Sequence, residues 1–228
     1  MQAVTLWNAI EYCRGKSGER GSVYHRPMDG LSPDLTAFIL AGGKSSRMGA
    51  DKALVMLDGR ALLARALEVA RFVTPEVRIV GDPAKFAQYG PVVQDGFRDC
   101  GPLGGIHAAL RASDTDLNLI LAVDMPFVSA GLLQYMIGRA RAGQTPTVTV
   151  PQFGGGWQPL CAMYRRDFAD VAEQALLAGR YKIDALFEVA RTQVIGEEEL
   201  EAAGFSTSMF RNLNTQEDLQ VAQEGVGG

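Results

Sequence analysis

The stretch Leu35-Thr36-Ala37-Phe38-Ile39-Leu40-Ala41-Gly42-Gly43-Lys44-Ser45-Ser46-Arg47-Met48-Gly49-Ala50-Asp51-Lys52 opens as an apolar run of strand length. It breaks at two adjacent glycines and then delivers three cations, Lys44, Arg47 and Lys52. A strand ending in glycine exposes backbone N–H groups that can approach an anion without interference from a Cβ atom. The lysines and the arginine add positive charge to the same mouth, so a small anion such as a phosphate is the ligand this stretch suits.

Two common phosphate loops do not fit. Gly43-Lys44-Ser45 has the ending of a Walker A motif, but that motif needs a glycine five residues before Gly43, where Phe38 stands. The dinucleotide fingerprint G-x-G-x-x-G fails as well, because Gly42 and Gly43 are adjacent.

Outward from this loop the chain alternates strand and helix patterns. Residues 61–72 carry Leu62, Leu63, Ala66, Leu67 and Ala70 at helical spacing. Residues 77–80 read as a strand ended by Gly81-Asp82-Pro83, residues 91–94 as a short one ending at Asp95, and 101–111 as a helix entered through Gly101-Pro102. Residues 117–123 form an apolar strand that stops at Asp124-Met125-Pro126, and Ser129 suits the cap of a helix over 130–142. Beyond it come a strand over 147–151, a glycine-rich loop over 153–157, and a segment over 159–164. Helices are expected over 167–178 and 183–188, and a strand over 192–195. A last helix follows Thr215-Gln216-Glu217-Asp218, whose Thr and Asp approximate a capping box.

This order predicts a three-layer α/β/α domain with a mostly parallel, Rossmann-like sheet. Such sheets place ligands beyond the carboxyl ends of their strands, where both the glycine loop and Asp124 fall. The 228 residues suffice for one full core, and no linker divides them. Residues 1–34 mix charges with glycine and proline and lack sustained periodicity, so they read as a weakly ordered extension before a single domain over 35–228.

A net charge of −4 supplies no global basic field for a nucleic-acid backbone, and no apolar run reaches membrane-spanning length. Cys13, Cys100 and Cys161 contain no C-x-x-C pair and fit a reducing cytoplasm, while His25 and His107 have no zinc-ligand spacing.

Read alone, Asp124 suits a turn before Pro126 and a Mg²⁺ site equally well. Asp95 before Gly96 has a similar ambiguity. His107, one turn inside its helix, reads as a packed histidine, and Cys161 as a core residue. Trp157 suits either a substrate loop or a hairpin tip.

The pattern L-A-G-G-x-S-x-R-M-G-x-x-K over Leu40–Lys52 resembles the nucleotide loop of the molybdenum cofactor guanylyltransferases, within the nucleotide-diphospho-sugar transferase type of fold. Further resemblances lie in the strand-Asp124-Met125-Pro126 element, in Gly101-Pro102-Leu103-Gly104-Gly105, and in Pro159-Leu160-Cys161-Ala162-Met163-Tyr164. Asn212-Leu213-Asn214-Thr215-Gln216-Glu217-Asp218-Leu219 extends the likeness towards the C terminus. The resemblance implies transfer of GMP from GTP to molybdopterin, with release of pyrophosphate. It implies catalytic roles for Arg47, Lys52 and Asp124, and nucleotide contacts from Leu40, Ala41, Gly42, Gly43, Lys52, Gly81, Asp95 and Asp124. Mg²⁺ would sit on Asp124, and Asn212 and Asn214 would meet substrate. Gly81 stands where some members carry Asn, which leaves only backbone there. Cofactor-delivery proteins or molybdoenzymes are the transient partners such an enzyme would meet. Two rival readings are a cytidylyltransferase, for which relatives tend to read L-A-A-G, and a nucleotide-binding regulatory module without catalysis.

Overall fold

A computed structural model describes residues 31–42, 51–97, 99–142 and 145–224. In chain order the regular elements are β1 (Leu35–Leu40), β2 (Met56–Leu57), β3 (Arg60–Ala61), α1 (Leu62–Arg71), β4 (Glu76–Val80), α2 (Pro83–Phe86) and β5 (Val92–Val93). They continue with α3 (Pro102–Arg111), β6 (Leu117–Ala122), α4 (Ala130–Arg141), β7 (Val148–Phe153), β8 (Gly156–Trp157), β9 (Cys161–Arg165) and α5 (Phe168–Leu177). The last are β10 (Thr192–Ile195), α6 (Glu197–Ala202) and α7 (Gln216–Glu224).

The main sheet runs β10-β7-β9-β6-β1-β4-β5, with β8 hairpinned onto β7. All pairings along it are parallel except those of β9, which lies antiparallel between β6 and β7. Every residue of β1 and of β6 is buried, which is why both read as apolar runs, each carrying one polar residue (Thr36, Asn118), rather than as alternating ones. Alternate side chains divide between two cores. Leu35, Ala37 and Ile39 pack with α1 and α4 on one face, while Phe38 and Leu40 pack with α3 and α5 on the other. Phe38 is fully buried, and burial of such a side chain contributes about 1.5–3 kcal/mol.

Local signals account for most boundaries. Ser129 Oγ accepts from Leu132 N at 3.2 Å and starts α4, while Pro102 opens α3 after Gly101 at φ 67°. Asp58 and Gly59, both at positive φ, make the tight turn between β2 and β3. Gly154 and Gly155, at φ 54° and 72°, make the turn between β7 and β8, so the glycine-rich loop is a hairpin.

The helix expected over 183–188 is instead a single 3-10 turn at Asp184–Leu186. Ile183, Leu186 and Phe187 are buried at helical spacing, but the segment is too short to propagate a helix. Packing of the chain begins before Leu35: Ser32 is buried, its N–H donates to Val73 O at 2.9 Å, and Asp34 pairs with Arg141 at 2.6 Å. Residues 1–30, on which most of the expected extension falls, lie outside the described residues. Among the described residues no helix is long and apolar enough to cross a membrane.

Candidate active site

Register brings the strand ends level. Leu40 pairs with Val80 on one side and Ala122 on the other, and Val80 pairs with Val93. The ladder runs on through Ala41 N to Val80 O at 2.9 Å, Val123 N to Leu40 O at 3.1 Å, and Gly81 N to Val93 O at 3.0 Å. Gly42, Gly81, Asp95 and Asp124 therefore leave four neighbouring strands along one edge. That edge is a switch point, since β4 follows β1 to one side and β6 lies on the other.

A cleft of about 950 Å³ opens there, lined by Leu40, Ala41, Gly42, Lys52, Gly81, Asp95 and Asp124 among others. The structure thus brings together seven of the residues singled out from the sequence. Gly43 and Arg47 lie outside the described residues, as does Lys44.

Small residues keep this edge open. A Cβ at Gly81 would stand 2.9 Å from the ring of the buried Phe86, so the end of β4 presents backbone alone. A Cβ at Gly104 would stand 2.7 Å from Asp95 Oδ2 and 2.8 Å from Phe97 O, so only glycine lets the first turn of α3 press against the loop after β5. Asp95 Oδ1 accepts from Phe97 N at 2.8 Å, and burial pushes its pKa up from the ordinary aspartate value, partly offset by that bond. The carboxylate shapes the turn and lines the cleft at once.

Lys52 and Asp124 meet across the mouth. Lys52 Nζ donates to Asp124 Oδ2 at 2.8 Å, both side chains being about one-fifth exposed. The same ammonium donates to Asn214 Oδ1 at 2.7 Å, and Leu213 N donates to Asp124 O at 2.9 Å. Asn212 is exposed and has no part in this group. Sequence reasoning paired Lys52 with the glycine loop and left its bond to Asn214 unseen, because the two are 162 positions apart.

Further carboxylates line the cleft that the sequence reading did not assign to it: Asp51, Asp82 and Asp99. Asp82 caps α2 through Ala84 N at 2.9 Å, and Asp51 bonds Lys85 at 2.8 Å. Their adjacency to Lys52 and to Gly81 was the available signal. Among the described lining residues, five aspartates face one lysine. The described lining is net negative, so an anionic ligand entering here would need added positive charge.

The donor chemistry at Asp124 suits a divalent cation. Carboxylate and amide oxygens are the hard ligands Mg²⁺ takes, with water and phosphate oxygens completing the shell. Among the described residues no group of three or more His, Cys, Asp or Glu side chains forms a protein cage for a metal.

Other candidates stay in the scaffold. His107 meets Phe97 edge-on at 5.1 Å, and burial lowers its pKa. Cys161 is fully buried with its pKa pushed up to about 12, far from a reactive thiolate. Trp157 packs edge-on against Phe187 at 5.2 Å.

A cleft at the switch point of a doubly covered, mostly parallel sheet, edged by glycine-ended strands and an Asp–Lys pair, is the architecture of a nucleotide-binding α/β domain. Comparison with known proteins narrows it. Residues 37–194 match the MobA-like NTP transferase domain. A molybdenum cofactor guanylyltransferase of Desulfosudis oleivorans is 34% identical over 84% of this chain and 96% of its own length. One of Syntrophotalea carbinolica is 33% identical over 81% and 89%. The crystal structure of molybdopterin-guanine dinucleotide biosynthesis protein A from Archaeoglobus fulgidus superposes with a TM-score of 0.72 at 29% identity, covering 84% of this chain and 98% of that one. The 4-diphosphocytidyl-2C-methyl-D-erythritol synthase of Anaerococcus prevotii shares the fold at a TM-score of 0.60, 16% identity, and coverage of 85% and 98%. The chain belongs to the MobA-like NTP transferase family, with molybdenum cofactor guanylyltransferases as its relatives over most of its length.

Proposed function

We propose that this protein transfers GMP from GTP to the terminal phosphate of molybdopterin or its molybdenum form, releasing pyrophosphate. The observation that carries the reading is the Lys52–Asp124 pair at the open ends of β1 and β6, facing a cleft large enough for a nucleotide. Family membership supplies the reaction class and the relatives' names supply the substrates.

An oxygen of the acceptor phosphate attacks the α-phosphorus of GTP. The new P–O bond forms as the bond to the β-phosphate bridging oxygen breaks, and pyrophosphate departs with the electron pair. Catalysis of this kind is positioning plus charge stabilisation. The backbone of Leu40–Gly43 and of Gly81, where Gly42, Gly43 and Gly81 carry no side-chain bulk, approaches the nucleotide. Asp95 presents an acceptor to it from the loop after β5. Lys52 and Arg47 hold the phosphates and the leaving pyrophosphate, and Asp124 would hold Mg²⁺. A divalent ion held there would supply positive charge against the charge that develops on the transferring phosphoryl group.

Pyrophosphate release measured with each of the four NTPs, with and without molybdopterin, tests this. Release is expected with GTP, Mg²⁺ and the pterin together. Faster release with CTP would assign cytidylyl transfer instead. Nucleotide binding without release under any condition would leave a regulatory module.

A further inference from the structure

Lys52 has two acceptors of different kinds. Asp124 Oδ2 at 2.8 Å is an anion at the end of β6, whereas Asn214 Oδ1 at 2.7 Å is a neutral amide on the turn before α7. That turn is itself built firmly. Asn214 N and Thr215 N both donate to Asp218 Oδ2 at 2.8 Å, and Asp218 N donates to Thr215 Oγ1 at 3.0 Å, a reciprocal cap. One residue earlier, the buried Leu213 ties its N–H to the carbonyl of Asp124. The turn therefore fixes the backbone of one member of the ion pair and the side chain of the other.

We propose that Asn214 is a positioning residue, which holds the Lys52 ammonium at the place where it meets the nucleotide's phosphates and does not itself bind substrate. The proposal rests on the reading of the cleft as a nucleotide site. Its physical basis is the choice of a neutral acceptor. Lys52 is a flexible point charge, and a lone carboxylate partner leaves it free to swing with that carboxylate. A second carboxylate would fix it but would also repel the phosphates and neutralise the charge they need. An amide oxygen fixes the ammonium and adds no charge. Once Asp124 is engaged with a divalent cation, Asn214 still anchors the lysine. Asn212, exposed and outside the group, shows that the turn contributes one such amide rather than a pair.

The test is a double-mutant cycle on the full chain with Asn214→Ala and Lys52→Met, read as affinity for inorganic pyrophosphate by calorimetry and as kcat with GTP. The Asn214 side chain takes no part in the Asp218 cap, so the variant is expected to keep its Tm. Asn214→Ala should weaken pyrophosphate binding about tenfold, the scale of one hydrogen bond to a charged group. In the Lys52→Met background the same change should cost less than about twofold, because the group it positions is gone. Asn214→Ser, also too short to reach Lys52, gives the same pattern should the alanine variant fail to fold. Losses that multiply would overturn the proposal and place Asn214 directly on substrate, and so would a parent protein that does not bind pyrophosphate. A cycle that couples in pyrophosphate affinity while GTP proves no better than other NTPs would count against the guanylyl reading alone.

Discussion

At the amino ends of β1 and β6 the buried polar side chains answer one another, whereas at the carboxyl ends of the same strands they face a cleft. Thr36 and Asn118 are register partners and both buried. Thr115 Oγ1 donates to Thr36 Oγ1 at 2.8 Å, Ser113 Oγ to Asn118 Oδ1 at 2.5 Å, and Asn118 Nδ2 to Asp116 O at 3.0 Å. Close by, Thr74 Oγ1 donates to Leu35 O at 2.5 Å. These groups are neutral and mutually satisfied, which is how buried polarity is stabilised. The opposite end holds charges, missing side chains and a carboxylate whose ionisation burial opposes. A fold stabilises one end of its strands with polar groups that close on themselves and reserves the other for groups that need a ligand.

The largest effect expected to sharpen this contrast is at Asp124. Asp124→Asn keeps size and turn-forming capacity but removes the charge. Turnover should fall by about 10²-fold or more, the scale of losing a major electrostatic stabiliser. Thermal stability without ligand should change little, as Asn can still accept from Lys52. Active enzyme with ordinary Mg²⁺ dependence would break the contrast at its functional end.

At the other end the effect should reverse. Asn118→Ala removes the acceptor of Ser113 Oγ at 2.5 Å and the amide donor to Thr115 O and Asp116 O from a buried site, at a cost of about 1–3 kcal/mol. For a domain of this size that is several degrees in Tm. Turnover of the folded protein at a temperature well below Tm should be unchanged; a selective loss of kcat would mean that the amino ends are not merely structural.

The smallest effect concerns Asp95. Its folded-state pKa lies above the unfolded value, so the folded state holds the proton more tightly. Its contribution to stability is therefore greatest below the unfolded pKa and is lost as pH rises through the folded one. Asp95→Asn retains an acceptor for Phe97 N and removes that dependence. The variant's apo Tm at neutral pH should match or slightly exceed the parent's, with a flatter fall across the carboxylate range, while GTP affinity declines. A lower Tm with unchanged GTP affinity would make Asp95 a turn residue alone.

Much of this arrangement is legible in the sequence, and for physical reasons. β1 and β6 show as largely apolar runs without polar alternation because both faces are covered, and the Gly42 and Asp124 stops fall at their carboxyl ends. Ser129 and the Thr215–Asp218 pair act through neighbours three residues away, so their caps are visible locally. The Asp58-Gly59 turn carried an equally local hairpin signal that the helical pattern beside it obscured. Other features have no local signature. Nothing in Cys161–Arg165 tells that β9 runs against its neighbours, since direction depends on where the chain returns. The acidic run of α6 has little apolar periodicity, and Tyr135 and Arg139 on α4 hold it through Glu199. The approach of Asn214 to Lys52 is likewise a product of the assembled sheet.

Hydrogen exchange with and without GTP and Mg²⁺ tests the central claim most directly, because it reads both ends of the same strands in one experiment. The account predicts ligand-induced protection confined to the carboxyl-end segments: 40–42, 81–82, 94–97, 101–105 and 122–124, with the turn at 213–215 following. The amides of Thr36, Thr74, Ser113 and Asn118 should not change. Protection centred on those amino-end residues, with the Asp124 edge unaffected, would contradict it.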